Sequence, residues 1–206
     1  MRIPMKYMMA LLITAISMTA AAQMPPEGKV RPVAMRPKDT LQQVMTTRTA
    51  DHASLKDEKN GQVVYKGIFS YRDMEQEPTF SWLPHGMDEY NPDATATDYL
   101  QKTIGNYKLV IFLGTWCEDS QHLLPQLFKV LEKINIAWED LMLIGMDRTK
   151  TTNNAAAQQL AKRYNIALLP TIVVLNSNDD EIGRITETVS KSVEWDLVSI
   201  IGGQRK

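Results

Sequence analysis

The sequence predicts a domain of the α/β class, with a mixed β-sheet between layers of helices. Two apolar segments, 107–113 (YKLVIFL) and 141–146 (LMLIGM), have the composition of strands buried on both faces. A segment with helical periodicity, 118–134, separates them, so we expect parallel strands joined by a crossover helix. A polar turn at 176–180 joins two more strand-like segments and predicts an antiparallel hairpin.

The first 22 residues have the features of a secretory signal peptide. Arg2 and Lys6 give a positive start, residues 7–20 are apolar, and residues 20–22 (AAA) form a small-residue cleavage site. A membrane anchor is the alternative, but the apolar run is shorter than the roughly 20 residues of a spanning helix. We therefore expect an exported protein, periplasmic or secreted, with no stable membrane insertion after cleavage.

Residues 23–60 are predicted to be an extension or linker, because they combine four prolines with many charges and little apolar periodicity. The folded domain is predicted at 61–206, with its core at 95–204. Within it, 63–71 predicts a strand, and 77–93, which contains three prolines, predicts a loop. The remaining elements are predicted in this order: helix 95–104, strand 107–113, helix 118–134, strand 141–146, helix 154–164, strands 171–175 and 181–188, and helix 192–201.

The composition favours a folded domain and argues against a nucleic-acid partner. Its hydrophobic content of 44% is sufficient for a core. Loss of the signal peptide would remove two positive charges from a formal net charge of −1, whereas phosphate-backbone binding favours a basic surface. The three histidines, His52, His85 and His122, form no metal-ligand spacing with one cysteine. We therefore expect no metal and no other cofactor.

Cys117 is the single cysteine of the chain. In an oxidising compartment paired cysteines usually become disulfides, but a lone cysteine can only bond to a partner, stay free or lie inert in the core. Cys117 is predicted where a strand turns into a helix, and the unpaired N–H groups of a helix N-terminus favour the thiolate, which is the nucleophile. Glu118 and Asp119 either oppose this with their negative charge or simply complement the helix dipole.

The residues around Cys117 resemble the active site of the thioredoxin-like fold family. Trp116 and Cys117 end a buried strand, and Ser120 occupies the place of the second cysteine in the family's W-C-G-P-C motif. Pro125 corresponds to the family's helix-kinking proline, and 169–171 (LPT) matches the segment whose proline is normally cis. The resemblance covers roughly residues 95–204 and implies a three-layer α/β/α sandwich with a mixed sheet.

A closer resemblance is to exported bacterial thioredoxin-like proteins with a single-cysteine W-C-x-D-S site, which often carry G-R-I-x-E after the hairpin, as at 183–187. The family's buried acid and its usual lysine are replaced here by Ile111 and Leu143. Together with the missing second thiol, these replacements imply a site that can attack a disulfide but cannot release the partner by itself.

The resemblance also implies roles for particular residues. Cys117 and Ser120 are the candidate catalytic residues: Ser120 cannot displace sulfur, but its hydroxyl can donate a hydrogen bond to a thiolate. In the family, the residue before the cis-proline pairs with extended substrate. Trp116, Leu169 and Pro170 are therefore the candidate substrate-binding residues.

Three functions are compatible with these features. The first is thiol–disulfide exchange through Cys117 with a disulfide- or thiol-bearing protein or a small thiol, with release by an external thiol. The second is a non-catalytic binding module that uses the groove near Trp116 and Pro170. The third is a one-cysteine peroxidase, although the peroxiredoxin pattern upstream of the cysteine is not present. Asp147 and Arg148, which follow a core strand near this edge, predict an ion pair or a loop cap. For the peroxidase, Thr115 and Arg148 are the candidates for polar support.

Overall fold

The computed structural model describes residues 51–203. The predicted signal peptide, residues 23–50 of the predicted extension, and residues 204–206 lie outside this range. The strands are β1 (Asp51–Lys56), β2 (Val63–Phe69), β3 (Lys108–Leu113), β4 (Leu141–Gly145), β5 (Thr171–Leu175) and β6 (Glu181–Thr186). The helices are α1 (Tyr71–Glu75), α2 (Trp82–Glu89), α3 (Ala94–Thr103), α4 (Glu118–Lys133), α5 (Ala155–Arg163) and α6 (Val193–Gly202).

The strands form one mixed sheet in the order β1-β2-β4-β3-β5-β6. β3 and β4 are parallel and α4 is the crossover between them, as predicted from the two apolar segments. β5 pairs antiparallel with both β3 and β6, which confirms the predicted hairpin. At the other edge, β2 runs antiparallel to β4, and β1 runs antiparallel to β2.

The sheet is the middle of three layers, and successive residues of β3 alternate between its two faces. Leu109, Ile111 and Leu113 belong to a core that includes side chains of α2, α3, α4 and α6. Val110 and Phe112 belong to a second core with α5. This explains why β3 is apolar at every position after Lys108. Together with the strand order from β3 onward, the two cores establish the thioredoxin-like α/β/α sandwich.

Two predicted irregular regions contain regular structure. The first is the end of the predicted extension, where residues 51–56 form β1, an edge strand with mostly exposed side chains. The second is the predicted loop at 77–93, which contains α2. Pro84 is tolerated in α2 because it lies in the first turn, where backbone N–H groups have no partner within the helix. Buried Leu83 and Met87 attach this helix to the core.

Close backbone approaches join β1, β2 and β4. Gly67 of β2 pairs with Gly145 of β4 and has a φ of 131°, a conformation that favours glycine. A Cβ at Gly67 would overlap the carbonyl oxygen of Asp51, and a Cβ at Gly145 would overlap that of Tyr65. The two glycines therefore let the β1–β2 hairpin lie against the edge of the central sheet. Within residues 51–203, no helix has both the length and the apolar character to cross a bilayer.

Candidate functional site

Cys117 lies at the junction of β3 and α4, as predicted. It is the N-cap residue of α4, and its own N–H donates to the carbonyl of Gly114 at 2.9 Å. The side chain is partly exposed, so the inert core position that the sequence left open is not the one observed. Cys117 therefore lies at the N-terminus of α4, where the first N–H groups have no partner within the helix, although its sulfur makes no capping hydrogen bond to them. Glu118 and Asp119 occupy the first turn of this helix and are exposed.

The sulfur of Cys117 contacts the loop that precedes β5. Its Sγ donates to the carbonyl oxygen of Leu169 at 3.5 Å, and the peptide bond from Leu169 to Pro170 is cis. A backbone hydrogen bond fixes this loop: the N–H of Glu187 donates to the carbonyl of Pro170 at 2.8 Å. Leu169 and Pro170 are buried, whereas the neighbouring Leu168 is 45% exposed. The structure thus brings Cys117 and these two predicted substrate-binding residues together.

Ser120 lies one turn into α4 and is fully buried. Its Oγ accepts a hydrogen bond from the N–H of Gly114 at 3.2 Å. Across the described residues, no hydrogen bond joins Ser120 to the sulfur of Cys117. Its hydroxyl therefore connects the start of α4 to the end of β3, and its hydrogen bond to a Cys117 thiolate stays a prediction.

Trp116 is half-buried and held by contacts on two sides. Its indole Nε1 donates to the carbonyl of Met146 at 2.9 Å, just after β4. The guanidinium carbon of Arg148 lies 4.2 Å from the centre of the indole ring, within the range of a cation–π contact. The indole is therefore fixed beside Cys117 between the end of β4 and an arginine.

Arg148 is held in turn by Asp57, which follows β1. The Nε of Arg148 donates to Asp57 Oδ2 at 2.7 Å, and its Nη2 donates to Oδ1 at 3.0 Å. The pKa of Asp57 lies below its ordinary value, chiefly because of these hydrogen bonds, and the same hydrogen bonds raise the pKa of Arg148. An electrostatic interaction with Cys117 acts on the pKa of Arg148 in the same direction, so the two side chains lie within electrostatic range of each other.

Two further contacts join the Cys117 loop to β2. Thr115 is buried; its hydroxyl donates to the carbonyl of Val63 at 2.8 Å and accepts from the N–H of Tyr65 at 3.1 Å. Gln121 Nε2 donates to the carbonyl of Thr115 at 2.8 Å and to the side chain of Gln62 at 3.0 Å. Together with the pairing of Arg148 to Asp57, the site therefore contacts the β1–β2 hairpin through the side chains of Arg148, Thr115 and Gln121.

The other polar residues noted in the sequence take structural positions. Asp147 caps its own loop by accepting from Thr149 and Thr151, and it pairs with Lys66 at 2.5 Å. Burial acts to raise the pKa of Asp147, but these hydrogen bonds outweigh it, so the pKa lies well below its ordinary value. His122 contacts Gln126 on the exposed side of α4. No group of three or more potential metal ligands is present between residues 51 and 203.

Asp57 and the β1–β2 hairpin were not predicted from the sequence to be part of the site. Asp57 is 60 residues from Cys117 in the chain and lies in the segment predicted to be a linker. Its one sequence-level signal is the turn DEKNG at 57–61. Arg148 was noted, and of the interpretations offered for it, the ion pair is observed.

No protein-family model matches the chain, and no curated protein matches it. Among solved structures, a protein of unknown function from Pseudomonas aeruginosa is 17% identical over 66% of this chain and 89% of its own, with a TM-score of 0.44. The thioredoxin of Fasciola hepatica is 16% identical over 52% and 89%, with a TM-score of 0.34. Reduced thioredoxin 2 from Pseudomonas aeruginosa PAO1 is 23% identical over 55% and 95%, with a TM-score of 0.32. These values are low, so the fold is assigned here from the strand order and the two cores.

Proposed function

We propose that this protein carries out thiol–disulfide exchange in the cell envelope, with Cys117 as its one nucleophile. The observation that carries the proposal is the position of the Cys117 sulfur, partly exposed at the start of α4 and 3.5 Å from the carbonyl of Leu169. A thiol in this position is accessible to a partner and lies beside a backbone acceptor.

The reaction proceeds in two exchange steps. The Cys117 thiolate attacks one sulfur of a partner disulfide, a bond forms between these two sulfurs, and the partner's S–S bond breaks. The leaving sulfur takes the electron pair and then a proton from water. Because the chain has one cysteine, an external thiolate then attacks the partner's sulfur in the mixed disulfide and releases Cys117 as a thiolate.

Leu169, Pro170 and Trp116 are the proposed partner-binding residues. The carbonyl of Leu169 accepts from the thiol in the free protein. Once the thiol proton is lost, this carbonyl can accept an N–H group from an extended partner segment, as an exposed strand edge does. Exposed Leu168 provides apolar contact surface next to it. The bond from Gly114 to Ser120 supports a different role for that serine, which is to fix the turn that carries Cys117.

Export to the periplasm or to the medium is part of the proposal. It rests on the amino-acid sequence of residues 1–22, with its positive start, apolar run and small-residue cleavage site. In such a compartment, partner disulfides form and persist.

The test is capture of a disulfide-bonded peptide by the purified protein, followed by mass spectrometry. The wild type is expected to gain the mass of one peptide half and to lose it when a small thiol such as glutathione is added. Cys117→Ser removes the nucleophile and should capture nothing, while Ser120→Ala retains the nucleophile and should still capture. A wild type that forms no mixed disulfide when folded, yet does so in denaturant, would refute the proposal.

A non-catalytic binding module is the second candidate, and the exposure of Leu168 beside the buried Leu169 and Pro170 favours it. It predicts that Cys117→Ser binds a cysteine-free version of the same peptide as tightly as the wild type does. Isothermal titration of both proteins measures this directly. Binding of the peptide by both proteins, together with no mixed disulfide from the wild type, would favour the binding module over exchange.

A further inference from the structure

The turn of the β1–β2 hairpin is built around the carboxylate of Asp57. Asp57 Oδ1 accepts from the backbone N–H groups of Lys59 and Asn60, both at 3.0 Å, and its side chain is 4% exposed. A carboxylate fixed by its own turn offers a rigid acceptor, and Arg148 donates two hydrogen bonds to it, one to each oxygen. This bidentate geometry fixes both the position of the guanidinium group and the orientation of its plane.

The fixed plane of Arg148 lies over the indole of Trp116. From the other direction, the indole N–H is bound to the carbonyl of Met146. Asp57, Arg148 and Trp116 therefore form a chain of contacts from the hairpin turn to the residue next to Cys117. The side chain of Arg148 remains 34% exposed, so the chain forms part of the surface that a partner meets.

The charges around this surface indicate that it orients a partner and does not attract an anion. Arg148 is paired with Asp57, and Lys66 is paired with Asp147. Glu118 and Asp119 are exposed in the first turn of α4. The two pairs are each neutral, and Glu118 and Asp119 add negative charge. This surface therefore does not favour an anionic partner over a neutral one.

We propose that Asp57 and Arg148 are positioning residues for thiol–disulfide exchange, which hold the Trp116 indole as a fixed wall against which a polypeptide disulfide aligns with Cys117. This inference rests on the proposed function and deepens it, since it assigns polypeptides as the partner class. The attacking sulfur must approach along the partner's S–S bond, so the orientation of a large partner limits the rate. A small disulfide rotates freely into line and does not need the wall.

The experiment compares second-order rate constants of Cys117 with two reagents, a disulfide-bonded peptide and the small neutral 2-hydroxyethyl disulfide. The variants are Asp57→Asn and Arg148→Lys. An asparagine still accepts from the turn N–H groups but loses the charged fork, and a lysine keeps the charge but loses both the fork and the planar stacking. Both variants are expected to lower the ratio of the peptide rate constant to the small-disulfide rate constant about tenfold, because a change in the reactivity of the sulfur itself affects both rate constants alike.

The structure offers a matched control pair. Arg184 binds Glu181 through the same fork, with both bonds at 2.6 Å, and its side chain is 33% exposed. Glu181 lies at the end of β6 that pairs with Leu175, whereas the Cys117 site is at the Thr171 end of β5. Glu181→Gln and Arg184→Lys therefore remove an equivalent pair of hydrogen bonds far from the thiol, and both should leave both rates unchanged.

Three results would overturn the positioning role while leaving exchange intact. One is an unchanged peptide rate in both variants. Another is a wild-type peptide rate in Arg148→Lys alone, because positive charge would then be sufficient. The third is an equal fall with both reagents, since the pair would then act on the sulfur itself. A wild type that reacts with neither reagent would instead refute thiol–disulfide exchange, and the positioning role with it.

Discussion

Thr115 is the residue that attaches the loop before Cys117 to β2. Its buried hydroxyl accepts from the N–H of Tyr65 and donates to the carbonyl of Val63. Both backbone groups lie on the side of β2 that faces the site loop. A single side chain therefore replaces the partner that a neighbouring strand would supply.

Thr115→Val keeps the shape of this side chain but leaves Tyr65 N–H and Val63 C=O without the partner they have now. We expect a loss of about 1–3 kcal/mol in the free energy of unfolding, because unsatisfied buried polar groups carry a desolvation cost. Urea denaturation measures this loss. Thr115→Ser is the control, since it keeps the hydroxyl and removes one methyl group. Equal stability of the valine and serine variants would contradict this account.

The contrast between Thr115 and Ser120 shows what a motif can predict about a site. The position of Ser120 followed from its spacing after Cys117, but its partner did not. Whether a hydroxyl faces the sulfur or the preceding turn depends on the path of residues 114–117, which local spacing does not determine. The structure shows that the N–H of Gly114 takes this hydroxyl as its acceptor.

At the scale of secondary-structure elements, the packing of α2 on α4 depends on a small residue opposite a proline. A Cβ placed on Gly86 of α2 would lie 2.7 Å from the Cβ of Pro125, inside α4. Real Cβ atoms do not approach this closely, so the absence of a side chain allows the contact. α4 carries Cys117 at its first end, so α2 supports the helix on which the thiol sits.

Gly86→Ala should therefore destabilise the protein, even though alanine favours helices more than glycine does. Overpacking of this kind costs about 1–3 kcal/mol, and a decrease in the urea midpoint would report it. Gly105→Ala is the matched control because no atom lies within 4 Å of its Cβ position, and it should not lower the midpoint. If Gly86→Ala were as stable as Gly105→Ala, the close contact with Pro125 would not be limiting.

The sequence predicted some elements well and others poorly for a physical reason. β3, α4 and β4 are long, apolar or strongly periodic, and their observed bounds differ from the predicted ones by one residue at most. β1 was missed because an edge strand with exposed side chains has no apolar alternation to detect. α2 was missed because Pro84 and Gly86 argue against a helix locally, and the contacts that stabilise it come from α4.

At the scale of the whole molecule, Glu194 joins the last helix to the segment before α3. Its buried carboxylate accepts from the hydroxyl of Tyr90 at 2.6 Å and from the N–H of Asp93 at 3.0 Å. Burial acts to raise the pKa of Glu194, but the hydrogen bonds outweigh it and the pKa is lowered. The folded state therefore binds this proton more weakly than the unfolded chain does.

This shift predicts a dependence of stability on acidity. A carboxyl group whose pKa is lowered on folding stabilises the protein above its unfolded value, here 4.5, and this contribution is lost as the pH falls through the folded value. The free energy of unfolding should therefore decrease on acidification from pH 7 toward pH 3. Glu194→Gln cannot ionise and should show a shallower decrease. Identical slopes for Glu194→Gln and the wild type would contradict this assignment.

The presence of one sulfhydryl also determines how the protein would respond to dilution. Capture of half of a symmetrical small disulfide consumes one disulfide and liberates one thiol, so the captured fraction follows the ratio of the two reagents by mass action. Closing an internal bridge would liberate two thiols, and its extent would rise as the reagents are diluted at constant ratio. With Cys117 as the single cysteine of the chain, its loading by the proposed exchange would report the ratio of oxidised to reduced small thiol around it and would be independent of their total concentration.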